Sequence, residues 1–241
     1  MKRLTRENAI QGREIELGES IDSVIDYLIE CRNRNESVYV IFNQHTLYSC
    51  DVTMESAYLQ VYNLTKEEKE NLEKEYIETT SREEVDKVNL KIKAKKQSHI
   101  NEMKKNAHSI PVPGDLEMTI QALTEYKMTG ESVYVDFNGH TLYSCDINKD
   151  RAYIEVTGLT KDEYDVGCQE MMDAQSREEE FAIKAKYDKL RAIHRKQVKK
   201  EQLQVDIVSI EMEQDSLAGK SEDLSAQLDE KRAELEAMTD R

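Results

Sequence analysis

Two short constellations in the chain combine an imidazole, a thiol and a carboxylate: His45, Cys50 and Asp51, and His140, Cys145 and Asp146. Such groups make a nucleophilic site when nucleophile and base come within hydrogen-bond reach. The flanking residues argue against that use. Residues 37–42 and 45–50 are rich in Val, Tyr, Phe and Thr and enclose a two-residue turn, which predicts a β-hairpin. Successive residues of a strand point to opposite faces, so the odd spacing from His45 to Cys50 puts the two on opposite sides. The expectation is a histidine packed beside Phe42 at the turn, and no enzyme.

A second candidate is Asp146-Ile147-Asn148-Lys149-Asp150, which fits the first three ligand positions of a calcium loop. Arg151 and Thr157 stand where that loop needs Gly and Glu, so an acid-rich helix start accounts for the pattern better. The four cysteines show no CxxC spacing, and no Gly-rich phosphate loop is present. Neither a metal nor a cofactor is expected.

The side chains left to carry function are tyrosines and acids. With the turn at 43–44 the register sets Tyr39 opposite Tyr48 and Val40 opposite Leu47. Val38, Val40, Phe42, His45, Leu47 and Ser49 then share the core face. Tyr39, Ile41, Thr46, Tyr48 and Cys50 share the other, as do Tyr134, Asp136, Thr141, Tyr143 and Cys145. Asp136 suggests that this face meets solvent. Tyrosine joins an apolar body to a polar tip and is enriched at interfaces, so Tyr39, Tyr48, Tyr134, Asp136 and Tyr143 are candidate binding residues. The alternative, equally weighted, is a tyrosine pair covered by the module's own structure.

These residues belong to a duplicated unit. ESVYVIFNQHTLYSCD (36–51) returns 95 positions later as ESVYVDFNGHTLYSCD (131–146), and 21 of 33 residues match from Glu36 to Glu68 against Glu131 to Glu163. Asn138-Gly139 is the strongest short signal for a tight hairpin turn. Ser20 and Asp115 predict the caps of a preceding helix. Thr53 and Asn148 predict the caps of a short following one, ending at Asn63 and Gly158. Thr65-Lys-Glu-Glu68, Thr160-Lys-Asp-Glu163, Ser81-Arg-Glu-Glu84 and Ser176-Arg-Glu-Glu179 predict capping boxes, with a break or kink at the latter two.

The predicted class is a mainly helical α+β protein with two tandem helix, hairpin, short helix, long helix modules. The first spans 1–108, with its hairpin at 37–50 and helical arm at 66–106. A proline linker follows at 109–114. The second spans 115–200, with its hairpin at 132–145 and arm at 161–200. Residues 1–18 are ambiguous, with a short helix before Gly12 as one reading. From 201 to 241 a heptad pattern through Leu203, Ile207, Ile210, Leu224, Leu228 and Leu235 predicts a coiled-coil tail that dimerises. It is read as one helix in preference to two folding back at Gly219.

Charge is segregated along the arms. Residues 66–84 hold eight acids and four bases, and 87–105 seven bases and one acid, with the same order in copy two. Acidic arms lying against basic arms are expected. Glu67, Glu70, Glu73, Asp162, Glu163 and Asp165 form a candidate acidic surface. The chain has 241 residues, 38% hydrophobic and 34% charged, with net charge −15. That balance disfavours plain nucleic-acid binding. No apolar run near 18 residues occurs, so a cytoplasmic protein with no membrane span is expected.

The hairpin FNGHTLYSC followed by Asp146–Glu163, with its AYIEVTGLTKDE run, resembles small proteins of bacteriophages and prophages of Gram-positive bacteria. Copy one departs from that pattern at Gln44 and at Tyr62-Asn63. The resemblance implies a mobile-element accessory protein, a class whose members often bind and block host defence machinery. The reading is a non-enzymatic inhibitor of a host protein, with a CRISPR nuclease as one candidate target through acidic competition for its nucleic-acid groove. Two alternatives stay open: sequestering a nucleotide signal, and binding nucleic acid through the basic helices.

Overall fold

The computed structural model describes residues 4–15, 19–216 and 222–239. The chain is mainly helical α+β, with two separate three-stranded sheets.

In the first unit, Ser20 caps α1 (Ile21–Asn33) by accepting the Ser23 amide. A hairpin of β2 (Val38–Phe42) and β3 (His45–Tyr48) follows. Its register pairs Tyr39 with Tyr48, Val40 with Leu47 and Phe42 with His45. The hairpin of β5 (Val133–Phe137) and β6 (His140–Tyr143) pairs the corresponding residues, Tyr134 with Tyr143 and Phe137 with His140. Both turns place two residues at positive φ, Asn43 and Gln44 in one, Asn138 and Gly139 in the other. Gln44 therefore takes the backbone conformation of Gly139 at the cost of its side chain, and the tight turn survives the replacement.

The predicted inward face is the core face. Val38, Val40, Phe42 and Leu47 pack against Val24, Ile25 and Leu28 of α1 and against Ala57 and Tyr58 of α2 (Met54–Tyr62). In the second unit Val133, Val135 and Leu142 meet Ile120 and Leu123 of α5 (Leu116–Thr129) and Ala152 and Tyr153 of α6 (Lys149–Thr157). Ser49 and Ser144 sit fully buried among them and are satisfied. Ser49 Oγ accepts the Val38 amide at 3.0 Å and donates to the Glu36 carbonyl at 2.9 Å, and Ser144 does the same with Val133 and Glu131.

Each sheet has a third strand that the sequence reading did not include. β1 (Ile10–Gln11) and β4 (His108–Ser109) lie parallel to β2 and β5. In the ambiguous stretch before Gly12, for which a short helix was one reading, stands a single 3-10 turn, Arg6–Asn8, leading into β1. The proline stretch at 109–114 is likewise not a plain linker, since β4 occupies its start.

The helical arms are α3 (Lys66–Glu78) and α4 (Arg82–Lys105) in the first unit. Those of the second are α7 (Lys161–Asp173) and α8 (Arg177–Ser216). The four predicted boxes start them, with Thr65, Ser81, Thr160 and Ser176 accepting the amides of Glu68, Glu84, Glu163 and Glu179. Acid lies against base within the chain: Glu75 and Glu68 of α3 meet Lys91 and Lys95 of α4, and Glu170 meets Lys186. α8 runs unbroken past position 200 and packs along α4.

The tail departs from the expected single helix. α9 (Glu222–Thr239) folds back on α8, with Leu228 buried against Ile207 and Ile210. Lys231 pairs with Asp206 at 2.8 Å and Arg232 with Glu211 at 2.7 Å. Ile207, Ile210, Leu228 and Leu235 of the heptad stripe thus pack on one another within the chain. Leu217, Gly219 and Ser221 lie outside the described residues. Among the described residues no helix is long and apolar enough to cross a membrane.

Candidate interaction surfaces

The tyrosine face is built as the alternation requires. Tyr39 and Tyr48 meet as a tilted pair with ring centroids 5.9 Å apart, and Tyr134 and Tyr143 do the same with centroids 5.7 Å apart. The chain supplies a cation to each pair. Arg6 lies 5.0 Å above the Tyr48 ring and bonds Asp51 at 2.7 Å, while Lys104 lies 4.9 Å above Tyr143 and pairs with Asp146 at 2.6 Å. The hydroxyls of Ser37 and Ser132 donate to the carbonyls of Thr5 and Met103, fixing the residue before each cation.

Arg6 and Lys104 are 98 positions apart, whereas the hairpins are 95 apart. A comparison at one fixed period therefore does not align them, although a search allowing a three-residue shift would have. All four tyrosines of the two pairs are half-buried, and Asp136 is exposed with the Thr141 hydroxyl donating to it at 2.6 Å. The related Tyr58 and Tyr153 belong to the core, donating to Asp22 and Glu117 at 2.9 Å each. Burial, then the Glu117 carboxylate, pushes the Tyr153 hydroxyl up to about 12.

The cysteine constellations come apart. The Cys145 thiol faces the Ile100 carbonyl at 3.9 Å, not His140. Burial, then the adjacent Asp51 or Asp146, pushes the Cys50 and Cys145 thiols up, the opposite of an activated nucleophile. Asp146 is engaged by Lys104, and Asn148 caps α6 by accepting the Arg151 amide at 3.1 Å. Among the described residues no three His, Cys, Asp or Glu side chains are grouped to hold a metal ion.

Of the acidic candidates, Glu67, Glu70, Glu73, Asp162 and Asp165 are exposed. Glu70 and Glu73 face Lys66 and Lys69, and Asp165 faces Lys161. Glu163 is drawn inward instead, where it accepts from the Thr160 amide at 2.9 Å and bonds His194 at 2.7 Å. Its counterpart Glu68 does the same with Thr65 and His99. His99 and His194 were not singled out by sequence, although the two lie 95 positions apart.

The sequence reading also missed a pair of apolar grooves. One of about 460 Å³ lies between α3 and α4, lined by Leu64, Leu72, Tyr76, Ile77 and Ile92. The other, of about 580 Å³, lies between α7 and α8, lined by Leu159, Gly167, Met171, Met172 and Tyr187. Position for position these are the same sites, displaced by 95 residues. A Cβ on Gly167 would stand 2.9 Å from the Tyr187 ring, so glycine lets that ring settle onto α7. The rims are open: Ile77 is 81% exposed and Met172 78%.

Comparison with models of known protein families, with curated proteins and with solved structures finds no match for this chain.

Proposed function

We propose that this chain is a binding protein without chemistry of its own, and that it engages a host protein through the two grooves. The carrying observation is their recurrence. Both copies present an apolar floor between two helices with a large aliphatic side chain left in water, Ile77 in one and Met172 in the other. Leaving such groups exposed at about 25 cal/mol per Å² gains nothing for folding, and clustered apolar exposure marks interaction surfaces. Methionine and aromatic rims suit a helix or loop inserted from a partner, since Met adapts to irregular shapes.

The grooves displace the tyrosine pairs as leading candidates, because Arg6 and Lys104 already cover one ring of each. The exposed acids that line the grooves, Glu73 in one and Asp188 in the other, would flank a docked partner and steer a basic one. The resemblance to bacteriophage proteins supports a role as an inhibitor of host defence.

The test is affinity capture from a Gram-positive host lysate with the full chain and with a double variant, Ile77→Asp with Met172→Asp. A partner retained by the parent and lost by the variant, at unchanged circular dichroism, supports the reading. A partner held equally by both excludes the grooves.

A further inference from the structure

A third cleft, of about 530 Å³, lies where α4, α6 and α8 meet, and its chemistry differs from that of the grooves. Its walls carry Leu90 from α4, Ile154 from α6, and Val198 and Val205 from α8. Around them stand Lys93, Lys96 and Arg151. None of these three cations makes an ion pair with a described residue, although their neighbours do: Lys91, Lys95 and Lys104 on α4 and Lys149 on α6 are all engaged by carboxylates. One carboxylate, Glu201, lines the cleft and is occupied by the Gln197 amide at 3.3 Å. His194, at its edge, is held by Glu163.

This distribution runs against the rest of the chain. With 49 acids and 34 bases, free carboxylates are plentiful, yet three cations converge on one concavity without them. Arg151 is also placed in the first turn of α6, where the helix dipole favours an anion over a cation. In copy one the corresponding residue is Ser56, which closes a capping box with Thr53. The replacement gives up a cap interaction and adds a positive charge facing the cleft.

We propose that this cleft binds a nucleoside diphosphate or triphosphate, with the polyphosphate on Lys93, Lys96 and Arg151 and the base between the aliphatic walls. The volume falls within the usual range for ligand sites, about 300–1,000 Å³. A bare polyphosphate would leave the walls unused, and an aliphatic anion would leave unused the amide of Gln204, which lines the cleft and has no hydrogen bond to another described residue. A base edge uses both the walls and an amide, which can donate and accept.

The experiment is isothermal titration of the full chain with ADP, inorganic pyrophosphate and octyl phosphate, repeated on Lys93→Gln with Arg151→Gln. Both substituted residues are exposed, so the fold tolerates their loss. The expected result is one ADP per chain, at least tenfold weaker binding of pyrophosphate and octyl phosphate, and at least a tenfold loss of ADP affinity in the double variant. The Ile77→Asp, Met172→Asp protein should keep its ADP affinity, which separates this site from the grooves. Pyrophosphate binding as tight as ADP overturns the role of the walls, and tighter octyl phosphate overturns the nucleoside. No ADP heat at millimolar concentration, or ADP affinity unchanged in Lys93→Gln with Arg151→Gln, overturns the site itself.

Discussion

Glu68 and His99 meet at 2.7 Å, and the same carboxylate oxygen also accepts the amide of Thr65, the residue that caps α3. A capping box has thereby been extended into a tie between α3 and α4, and Glu163 with His194 repeats it between α7 and α8. Burial alone would raise the Glu68 carboxyl. The Thr65 amide, the His99 ring and the Lys95 ammonium outweigh it and hold the group down at about 2. Its folded value therefore lies below its unfolded one. The stabilisation is fully present above about pH 4.5 and is lost as pH falls toward 2. With Glu68 23% exposed, the contribution is on the order of 2–3 kcal/mol. Thermal melts between pH 2 and 7 should show Glu68→Gln less stable than the parent at pH 7, converging with it in acid. A constant gap across that range would rule the tie out.

Two glycines at positive φ should answer differently to alanine. Gly130 ends α5 at φ 75°, and a Cβ there would stand 2.7 Å from the Gln60 side chain. Gln60 in turn donates to the Met128 carbonyl at 3.0 Å, and Arg6 to the Thr129 carbonyl at 3.0 Å. The first unit thus caps the end of a helix of the second. Gly139, at φ 82°, has nothing within 4 Å. Gly139→Ala should cost about 1 kcal/mol, the backbone term alone, as Gln44 in the equivalent turn indicates. Gly130→Ala should cost clearly more, because it also pushes Gln60 off its carbonyl. Denaturant midpoints measure both, and equal losses would show that the contact between the units contributes nothing.

Leu228→Asp should release α9. The side chain is buried against Ile207 and Ile210, so a charge there would lose the apolar contact and stand unpaired, costing about 3 kcal/mol or more. Limited proteolysis should then cut within 222–239 while 19–200 stays intact. Unchanged protection of α9 would contradict the folded-back tail.

The hairpins, their register and the caps were legible because each rests on local chemistry. Asn138-Gly139 dictates a turn, Thr65 and Glu68 dictate a helix start, and alternation decides which of Val40 and Tyr39 faces inward. The edge strands were not legible, since two residues such as Ile10-Gln11 or His108-Ser109 carry no periodicity and are set by what they pair with. The antiparallel return of α9 was underdetermined for another reason: a heptad stripe specifies an apolar partner, not whether that partner belongs to the same chain. The site residues followed the same division. Tyr39 opposite Tyr48 could be read from the turn, whereas Arg6 above Tyr48 and the groove under Ile77 depend on packing between elements far apart in sequence.

His45 provides a pH test of opposite sign to a histidine that gains a carboxylate. Its Nδ1 is buried without a partner. Burial, then the nearby Lys127 ammonium, holds the ring below its ordinary value. The unfolded chain takes up a proton first, so stability is present above about pH 6.5 and declines as pH falls from there toward the lowered folded value. His45→Phe should remove that decline between pH 7 and 5, read as a flatter melting temperature. A slope identical to the parent's would exclude His45 as its source.

Tyr143→Ala separates the tyrosine pair from the grooves as the binding surface. Its ring packs at a tilt against Tyr134 and receives Lys104, which also pairs with Asp146. Truncation removes the cross-strand pair and the cation–π contact together, each worth about 0.5–1 kcal/mol at a half-exposed site. The lost burial adds to this, for a total near 2 kcal/mol. The melting temperature should therefore fall by several degrees. Partner affinity, measured below that transition, should stay within twofold of the parent if the grooves carry binding. An interface anchor would instead show a loss of about thirtyfold, since removing such a tyrosine typically costs about 2 kcal/mol of binding. That result, with melting unchanged, would move the binding surface back to the hairpin face that bears Asp136.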